Sequence, residues 1–292
     1  MCDDKTHIDN LEYLRKKSGL TRREFGQMSA AAVLVAALPK VANAKSVVET
    51  DVVIDTPDGK ADCYFVHPES GAAPAVLIWP DILGLRPAFR QMGKRLAESG
   101  YAVLVVNPYY RDETSPVVEE GASFSDEDVR AKVRGLAGNL SAETNVTDAK
   151  AFISWLDAQE SVDTSKKMGT TGYCMGGPMV FRTAAAVPDR VGAAGTFHGG
   201  GLATDSENSP HLLIPQMQAE FLIAIAENDD EKDPRAKYTL AKAFNKADLT
   251  AQIEVYDGAM HGWCPPDSGV YNEPQAELAW SRMLNLFKST LA

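Results

Sequence analysis

Short apolar runs separated by helical segments fill the chain from residue 46 onward. Two runs, Ala75–Trp79 and Ala102–Val106, contain no polar residue, which is typical of strands buried on both faces of a sheet. Ser141–Gln159 instead carries apolar residues at positions 146, 149, 152, 153 and 156, which is a helical period. Alternating strands and helices of this kind predict an α/β fold, a mostly parallel sheet with helices on both faces.

The remaining predicted elements continue this alternation. Strands are expected at Ser46–Ile54, Ala61–Val66, Lys167–Thr171, Val191–Phe197, Phe221–Ala226 and Gln252–Tyr256, and helices at Pro87–Glu98, Asp126–Arg134, Pro178–Ala186, Pro234–Ala247 and Pro274–Leu291. No repeat or internal linker interrupts the series. The pattern predicts one domain over residues 45–292, a common size for an α/β protein.

Residues 1–44 have the order of an export signal. Arg22-Arg23 precedes the uncharged, alanine-rich run Met28–Leu38, and Ala42-Asn43-Ala44 offers a small-x-small cleavage site. The run is shorter than the roughly 20 residues that span a bilayer. The arginine pair resembles the signal of the twin-arginine translocation route, so we expect a periplasmic or secreted protein whose partner during export is that machinery. An amphipathic N-terminal helix is the alternative.

The charge of the chain is strongly negative. Its 29 Lys and Arg against 40 Asp and Glu give a net charge of −11. Removing residues 1–44 leaves 22 basic and 35 acidic residues, a net charge near −13. This balance argues against nucleic acid or an anionic membrane surface as the main partner.

Gly172-Tyr173-Cys174-Met175-Gly176-Gly177 stands between a predicted strand and a predicted helix. A sharp glycine turn in that context predicts a nucleophile elbow with Cys174 at its tip. The N-terminus of the following helix favours a thiolate there. A buried cysteine at a packing turn and a phosphate-binding glycine loop are the alternatives. The second is disfavoured because no Gly-Lys-Ser/Thr follows and the glycine spacing is not G-x-G-x-x-G.

An odd number of cysteines would remain after export. Cys2 belongs to the predicted signal, and Cys63 and Cys264 are the two that remain beside Cys174. The sequence allows a Cys63–Cys264 disulfide but does not show whether the two residues meet. The spacing of Cys and His does not fit a zinc site, so no metal is expected, and hydrolysis by a thiol needs no cofactor.

A cysteine nucleophile needs a base and an acid that orients the base. His261 follows the last predicted strand, at the sheet edge where such sites lie. His198 is its rival, whereas His67 and His211 are expected at the surface. Asp229 follows strand Phe221–Ala226, and the order Cys174, Asp229, His261 is that of α/β hydrolases. Asp230 remains an alternative acid.

The oxyanion hole of this architecture uses two backbone N–H groups. One belongs to the residue after the nucleophile, Met175. The other comes from the loop after the third strand, where Ile82 is the candidate. Backbone donors aimed at a developing negative charge each contribute on the order of a hundredfold in rate.

These segments together resemble the dienelactone hydrolase family. The resemblance rests on Pro80-Asp81-Ile82-Leu83-Gly84, the Gly-Tyr-Cys-x-Gly-Gly elbow, Asp229 and Gly258-Ala259-Met260-His261-Gly262. It implies the α/β-hydrolase fold, a Cys174-His261-Asp229 triad, and Ile82 and Met175 as oxyanion donors. It also implies that Asp81 interacts with the resting thiol and that Arg111 helps to bind a substrate carboxylate. A second family arginine, four residues after the histidine, is replaced by Pro265.

The predicted function is hydrolysis of a lactone or carboxylic ester through an acyl-thioester on Cys174. Two other classes stay open from the sequence. A thiol redox protein would also use Cys174, although no resolving cysteine lies nearby in the sequence. A hydrolase scaffold that binds a ligand without turnover is the third reading, because fold does not guarantee function.

Overall fold

The structure, a computed structural model, describes residues 4–18 and 37–291. Within them, eight strands form one sheet in the order β1-β2-β4-β3-β5-β6-β7-β8. The strands are β1 Val47–Thr56, β2 Gly59–Pro68, β3 Ala75–Trp79, β4 Ala102–Val106, β5 Met168–Tyr173, β6 Val191–Phe197, β7 Glu220–Ala226 and β8 Ala251–Tyr256. Strand β2 pairs antiparallel with both β1 and β4, and every other pair is parallel. The sheet is therefore mostly parallel, as predicted.

Helices lie before, between and after these strands. They are α1 Asp4–Ser18, α2 Pro87–Glu98, α3 Glu127–Gly138, α4 Ala142–Asp157, α5 Gly176–Ala186, α6 Glu227–Lys232, α7 Ala236–Lys246 and α8 Glu273–Thr290. A 3₁₀ helix covers Pro210–Gln216. Helix α4 begins with a reciprocal capping box, in which the side chains of Ser141 and Thr144 each accept from the other's backbone N–H.

The two faces of the sheet bury separate cores because side chains alternate along each strand. Val76 and Ile78 of β3 point to the face covered by α2 and α8, where they join Phe89 and Met283. Leu77 and Trp79 point to the opposite face, which is covered by α4, α5 and α7. The uninterrupted apolar runs noted in the sequence are therefore strands that serve both cores.

Four predicted elements, α2, β3, β4 and β6, have the bounds that the sequence indicated. Most others agree to within about two residues at each end, and α3 extends four residues further than predicted. Helix α6 and the 3₁₀ helix were not predicted. Helix α6 is six residues long and largely acidic, so it has no apolar period from which to recognise it.

The predicted export segment falls partly on residues that the structure leaves out. Arg22-Arg23 and most of the apolar run lie outside the described residues. Residues 4–18 form α1, and α1 packs against the domain, whereas the sequence suggested that residues 1–44 stay apart from the fold. Within the described residues, no helix is both long and apolar enough to cross a membrane.

Candidate active site

Strand β5 and helix α5 meet at a turn with Cys174 at its tip. The φ angle of Cys174 is 51°, a conformation that a non-glycine residue rarely adopts. The flanking glycines allow the close approach that this turn requires. A Cβ atom on Gly172 would lie 2.3 Å from the carbonyl oxygen of Gly176, and one on Gly176 would lie 2.3 Å from that of Trp79. The Gly-x-Cys-x-Gly motif therefore has a steric cause.

Cys174 borders a cavity of about 110 Å³ at the carboxyl end of the sheet. The residue is 2% exposed, and its backbone N–H donates to the carbonyl oxygen of Phe197 at 3.0 Å. His198 and His261 line the same cavity, as do Asp81 and Arg86. The nucleophile candidate and both histidine candidates thus border the same cavity.

His261 lies in the loop after β8 and is 3% exposed. Its Nδ1 lies 2.7 Å from Oδ2 of Asp229, the third residue of α6. The backbone N–H of His261 donates to Oδ1 of Asn228 at 2.8 Å. Asp230, the alternative acid, instead accepts from Nζ of Lys237 at 2.7 Å. The structure thus brings His261 together with Asp229 and separates it from Asp230.

The charge state of His261 follows from these neighbours. Burial alone disfavours the imidazolium, but the negative charges of Asp229 and Cys174 outweigh it and raise the pKa of His261 to about 10. His261 therefore holds two protons at neutral pH. A cation beside a sulfur atom favours the thiolate, the reactive form of cysteine.

His198 follows β6 and is fully buried, with φ at 41°. Its ring centroid lies 5.1 Å from that of His261 and 5.1 Å from that of Trp263. The side chain of His198 also interacts with that of Cys174. Burial lowers the pKa of His198, and the nearby charges of Cys174 and Asp229 oppose this only in part. His198 has no orienting carboxylate, and that distinguishes it from His261.

Ile82 and Met175, the candidate oxyanion donors, are joined by Tyr109. The Tyr109 hydroxyl lies 2.8 Å from the carbonyl oxygen of Ile82, to which it donates, and 3.2 Å from Sδ of Met175. Tyr109 is fully buried, in a small apolar cluster that contains Ile82 and packs against Met175. Ile82 also borders the Cys174 cavity on one side and, with Met175, an open groove of about 830 Å³ on the other. Sequence reasoning did not assign Tyr109 a role.

Asp81 lies beside the thiol but is held by an arginine. Its two oxygens accept from Arg86 at 2.7 and 3.0 Å, and the same guanidinium binds Asp267 at 2.6 and 2.9 Å. Burial raises the pKa of Asp81, while the charge of Arg86 opposes the shift. Arg86 was also absent from the predicted site. Its contact with Asp267 spans 181 residues of sequence, so no local pattern indicates it.

Arg111 does not border the Cys174 cavity. Its guanidinium donates to both oxygens of Asp148, at 2.9 and 2.6 Å, and to Asp58 at 2.6 Å. It also lies over the ring of Tyr110, 4.5 Å from the centroid. The structure therefore places Arg111 in an ion-pair cluster and not among the cavity residues.

The three described cysteines, Cys63, Cys174 and Cys264, are buried, and no disulfide joins any two of them. Cys63 belongs to the core under α4 and α5, whereas Cys264 belongs to the core under α2 and α8. A Cys63–Cys264 bond, left open by the sequence, is not formed because the sheet separates the two thiols. Across the described residues, no group of three or more His, Cys, Asp and Glu side chains is arranged to hold a metal ion.

Comparison with known proteins identifies the family of this chain. The family model "Dienelactone hydrolase family" matches residues 61–291. The chain belongs to the dienelactone hydrolase family. Two relatives are a candidate carboxymethylenebutenolidase from Synechocystis sp., 28% identical over 233 residues, and the carboxymethylenebutenolidase of Pseudomonas putida, 25% identical over 218 residues. The matches cover 78% and 75% of this chain and 91% and 86% of those proteins.

A solved structure agrees with the family at the level of the fold. The crystal structure of a candidate dienelactone hydrolase from Klebsiella pneumoniae aligns with a TM-score of 0.72 and 24% identity, covering 84% of this chain and 99% of that one. The eight-stranded, mostly parallel sheet with helices is thus an α/β-hydrolase fold, and family membership identifies the chain as a hydrolase.

Proposed function

We propose that this hydrolase cleaves a lactone or carboxylic ester through a Cys174-His261-Asp229 triad. The observation that carries the proposal is the 2.7 Å contact between His261 and Asp229, at a cavity that also holds Cys174 at a nucleophile elbow. A nucleophile, a base and an acid that orients the base are the set that acyl transfer requires. The carboxymethylenebutenolidase name of the relatives supports a lactone or ester as the substrate class.

The first half-reaction forms an acyl-thioester. The Cys174 sulfur attacks the substrate carbonyl carbon, and the N–H groups of Ile82 and Met175 stabilise the oxyanion. Collapse of the tetrahedral intermediate breaks the bond to the leaving oxygen, which takes a proton from His261. The raised pKa of His261 supports this role, because it means that the proton is already on the imidazole at neutral pH.

Water completes the turnover. Neutral His261 removes a proton from a water molecule, and the resulting hydroxide attacks the thioester carbonyl carbon. The second tetrahedral intermediate releases the acid product and the Cys174 thiolate, and His261 is again the imidazolium. Asp229 keeps the imidazole in one tautomer and orientation throughout. Atoms balance with one ester and one water consumed.

Turnover of chromogenic esters and lactones by the purified protein tests the nucleophile. We expect Cys174→Ala to lose activity by about 10³-fold or more, because only the oxyanion hole and binding remain. Cys63→Ala is the matched control, since Cys63 is an equally buried cysteine on β2. In wild type, a pre-steady-state burst and an acyl adduct on the Cys174 peptide are expected. Substantial activity in Cys174→Ala would refute the mechanism.

We also propose that the protein is exported by the twin-arginine route to the periplasm or medium. The order of Arg22-Arg23, an apolar run and Ala42-Asn43-Ala44 supports this. Replacing both arginines by lysine keeps the charge but removes the pair that the receptor reads, so precursor should accumulate in the cytoplasm. Cell fractionation measures this, and a normal exported yield would contradict the route.

A further inference from the structure

Helix α1 lies across the cavity that contains Cys174. Thr6, His7, Asn10 and Leu14 of α1 line that cavity together with Cys174 and His261. We propose that α1 is an intramolecular lid, which shields the nucleophile for as long as residues 1–44 remain attached to the domain. This inference rests on the proposed function for the identity of the site that is covered. It concerns access to the site, and so it can be tested separately.

The contacts of α1 follow one face of the helix. Residues 6, 10 and 14 are spaced by four, which places them in one row along an α-helix. Thr6 is 3% exposed, whereas Ile8, on another face, is 58% exposed. Asn10 donates from Nδ2 to the carbonyl oxygen of His261 at 2.9 Å. The buried row of α1 therefore contacts the loop that carries the proposed base.

Two further contacts fix the helix at its sides. Leu14 packs beside Gly269, with its Cδ1 3.5 Å from where a Cβ of residue 269 would lie. The His7 ring meets the ring of Phe124 edge to face, with centroids 6.4 Å apart. Helix α1 thus bridges the loops around residues 124, 261 and 269 that border the cavity.

The volume under α1 is small for a substrate. The cavity measures about 110 Å³, whereas small-molecule sites commonly measure about 300–1,000 Å³. Cys174 is 2% exposed and borders this cavity; the larger groove beyond Ile82 and Met175 does not include it. The cavity that reaches the thiol is therefore lined on one side by α1, and in this proposal α1 moves away before a substrate carbonyl reaches the thiol.

The position of α1 in the chain provides a means of release. The helix ends at Ser18, and the predicted cleavage site follows Ala44. Cleavage there would separate α1 from the domain and turn an intramolecular contact into a weak bimolecular one. The precursor would then be latent, and the cleaved protein active.

A pair of substitutions in the full-length chain tests the lid. Leu14→Asp places a charge on the packed face of α1, and Ile8→Asp makes the same kind of change on the exposed face. The first readout is the rate of Cys174 alkylation by iodoacetamide, followed on the Cys174 peptide by mass spectrometry. The second is kcat/KM for a small chromogenic ester.

We expect Leu14→Asp to raise both rates roughly tenfold or more, because weakening a closed state raises the open population in proportion. Ile8→Asp should leave both at the wild-type value. Asn10→Ala, which removes the hydrogen bond to His261, should act in the same direction by a smaller factor. Alkylation rates that are equal in all four proteins would overturn the lid. Faster alkylation of Leu14→Asp without ester turnover in any form would keep the lid and refute the proposed hydrolysis.

Discussion

Tyr109 contacts both residues that are proposed to supply the oxyanion N–H groups. Its hydroxyl lies 2.8 Å from the Ile82 carbonyl oxygen and 3.2 Å from Met175 Sδ. Tyr109→Phe keeps the ring in its apolar cluster and removes the hydroxyl. Since a net hydrogen bond contributes about 1 kcal/mol, and a donor that shifts acts mainly on the transition state, we expect kcat to fall roughly tenfold with little change in KM.

Tyr110→Phe is the control for this prediction. The Tyr110 hydroxyl donates to Oδ1 of Asp148 at 2.7 Å and lies 2.8 Å from Oγ1 of Thr56, within the Arg111 cluster. Its loss should lower the free energy of unfolding and leave kcat unchanged. If both variants lower kcat equally, Tyr109 has no special part in placing the oxyanion donors.

Arg111 does not border the Cys174 cavity, although the family resemblance implied that it binds a substrate carboxylate. The Arg111 side chain pairs with Asp148, which is 4% exposed, so Arg111→Met strands a buried carboxylate. We expect a loss of unfolding free energy of about 1.5–3 kcal/mol, measured by urea denaturation, and equal effects on acidic and neutral substrates. Arg182, which was not among the predicted site residues, borders the groove beside Met175, and the charge of Glu143 in the same groove acts on it.

Arg182→Met therefore tests whether Arg182 binds a carboxylate of the substrate. With one ester that bears a free carboxylate and one neutral ester, kcat/KM should fall for the acid alone, by roughly tenfold or more for a charged hydrogen bond. The Arg182 side chain is half-buried at the edge of the groove, and a substrate carboxylate bound there would pair with its charge. Acid selectivity that follows Arg111 instead would restore the prediction made from the family resemblance.

The residues that could be predicted are those with a local signature. Cys174 lies within a motif, and His261 and Asp229 follow strands in the chain order of α/β hydrolases. Arg86 and Tyr109 have no such signature, because each acts through a partner that is distant in sequence. Arg86 contacts Asp267 across 181 residues, and Tyr109 contacts Met175 across 66.

At the scale of elements, the short helix α6 decides which acidic residue faces the histidine. Consecutive residues on a helix point about 100° apart, so Asp229 and Asp230 reach different partners. Asp229 contacts His261, and Asp230 contacts Lys237. Asp229→Asn should lower kcat roughly 10²–10⁴-fold by disturbing the tautomer of His261.

Asp230→Asn is the isosteric control, since it removes a carboxylate of the same helix. Its ion pair with Lys237 lies at the surface, so its loss should change stability little and leave kcat near wild type. Both variants are to be compared at equal folded fraction. A larger loss of kcat in Asp230→Asn would transfer the acid role to Asp230.

The bounds of strands buried on both faces could be predicted from the sequence with single-residue precision. Strands β3 and β4 have bounds set by where apolar residues begin and end, because burial on two faces leaves no polar position inside them. The docking of α1 could not be predicted, since it depends on two polar residues, buried Thr6 and half-buried Asn10, whose contacts form only when the loops around the cavity are in place.

At the scale of the whole molecule, protonation of the buried residue His198 disfavours the folded state. His198 is 1% exposed, and the titratable or charged groups around it are Cys174, His261 and Asp229, with Tyr173 packed beside its ring. Burial is the largest cause of its lowered pKa. An unfolded chain leaves this imidazole free to take a proton near its ordinary pKa of about 6.5.

The sign of the effect on stability follows from proton counting. Below pH 6.5 the unfolded state binds a proton that the folded state excludes, so stability falls as the solution becomes more acidic. One proton of difference corresponds to a slope of up to about 1.4 kcal/mol per pH unit. The raised pKa of His261 has the opposite effect above pH 6.5, so the contribution of His198 is measured as the difference in slope between the wild type and His198→Asn, by urea denaturation between pH 6.5 and 5. His198→Asn, whose asparagine tolerates the φ of 41°, should have a lower unfolding free energy at pH 7.5 but a shallower slope toward acid. Parallel slopes for the two proteins would mean that His198 is not the buried group that takes up the proton on unfolding.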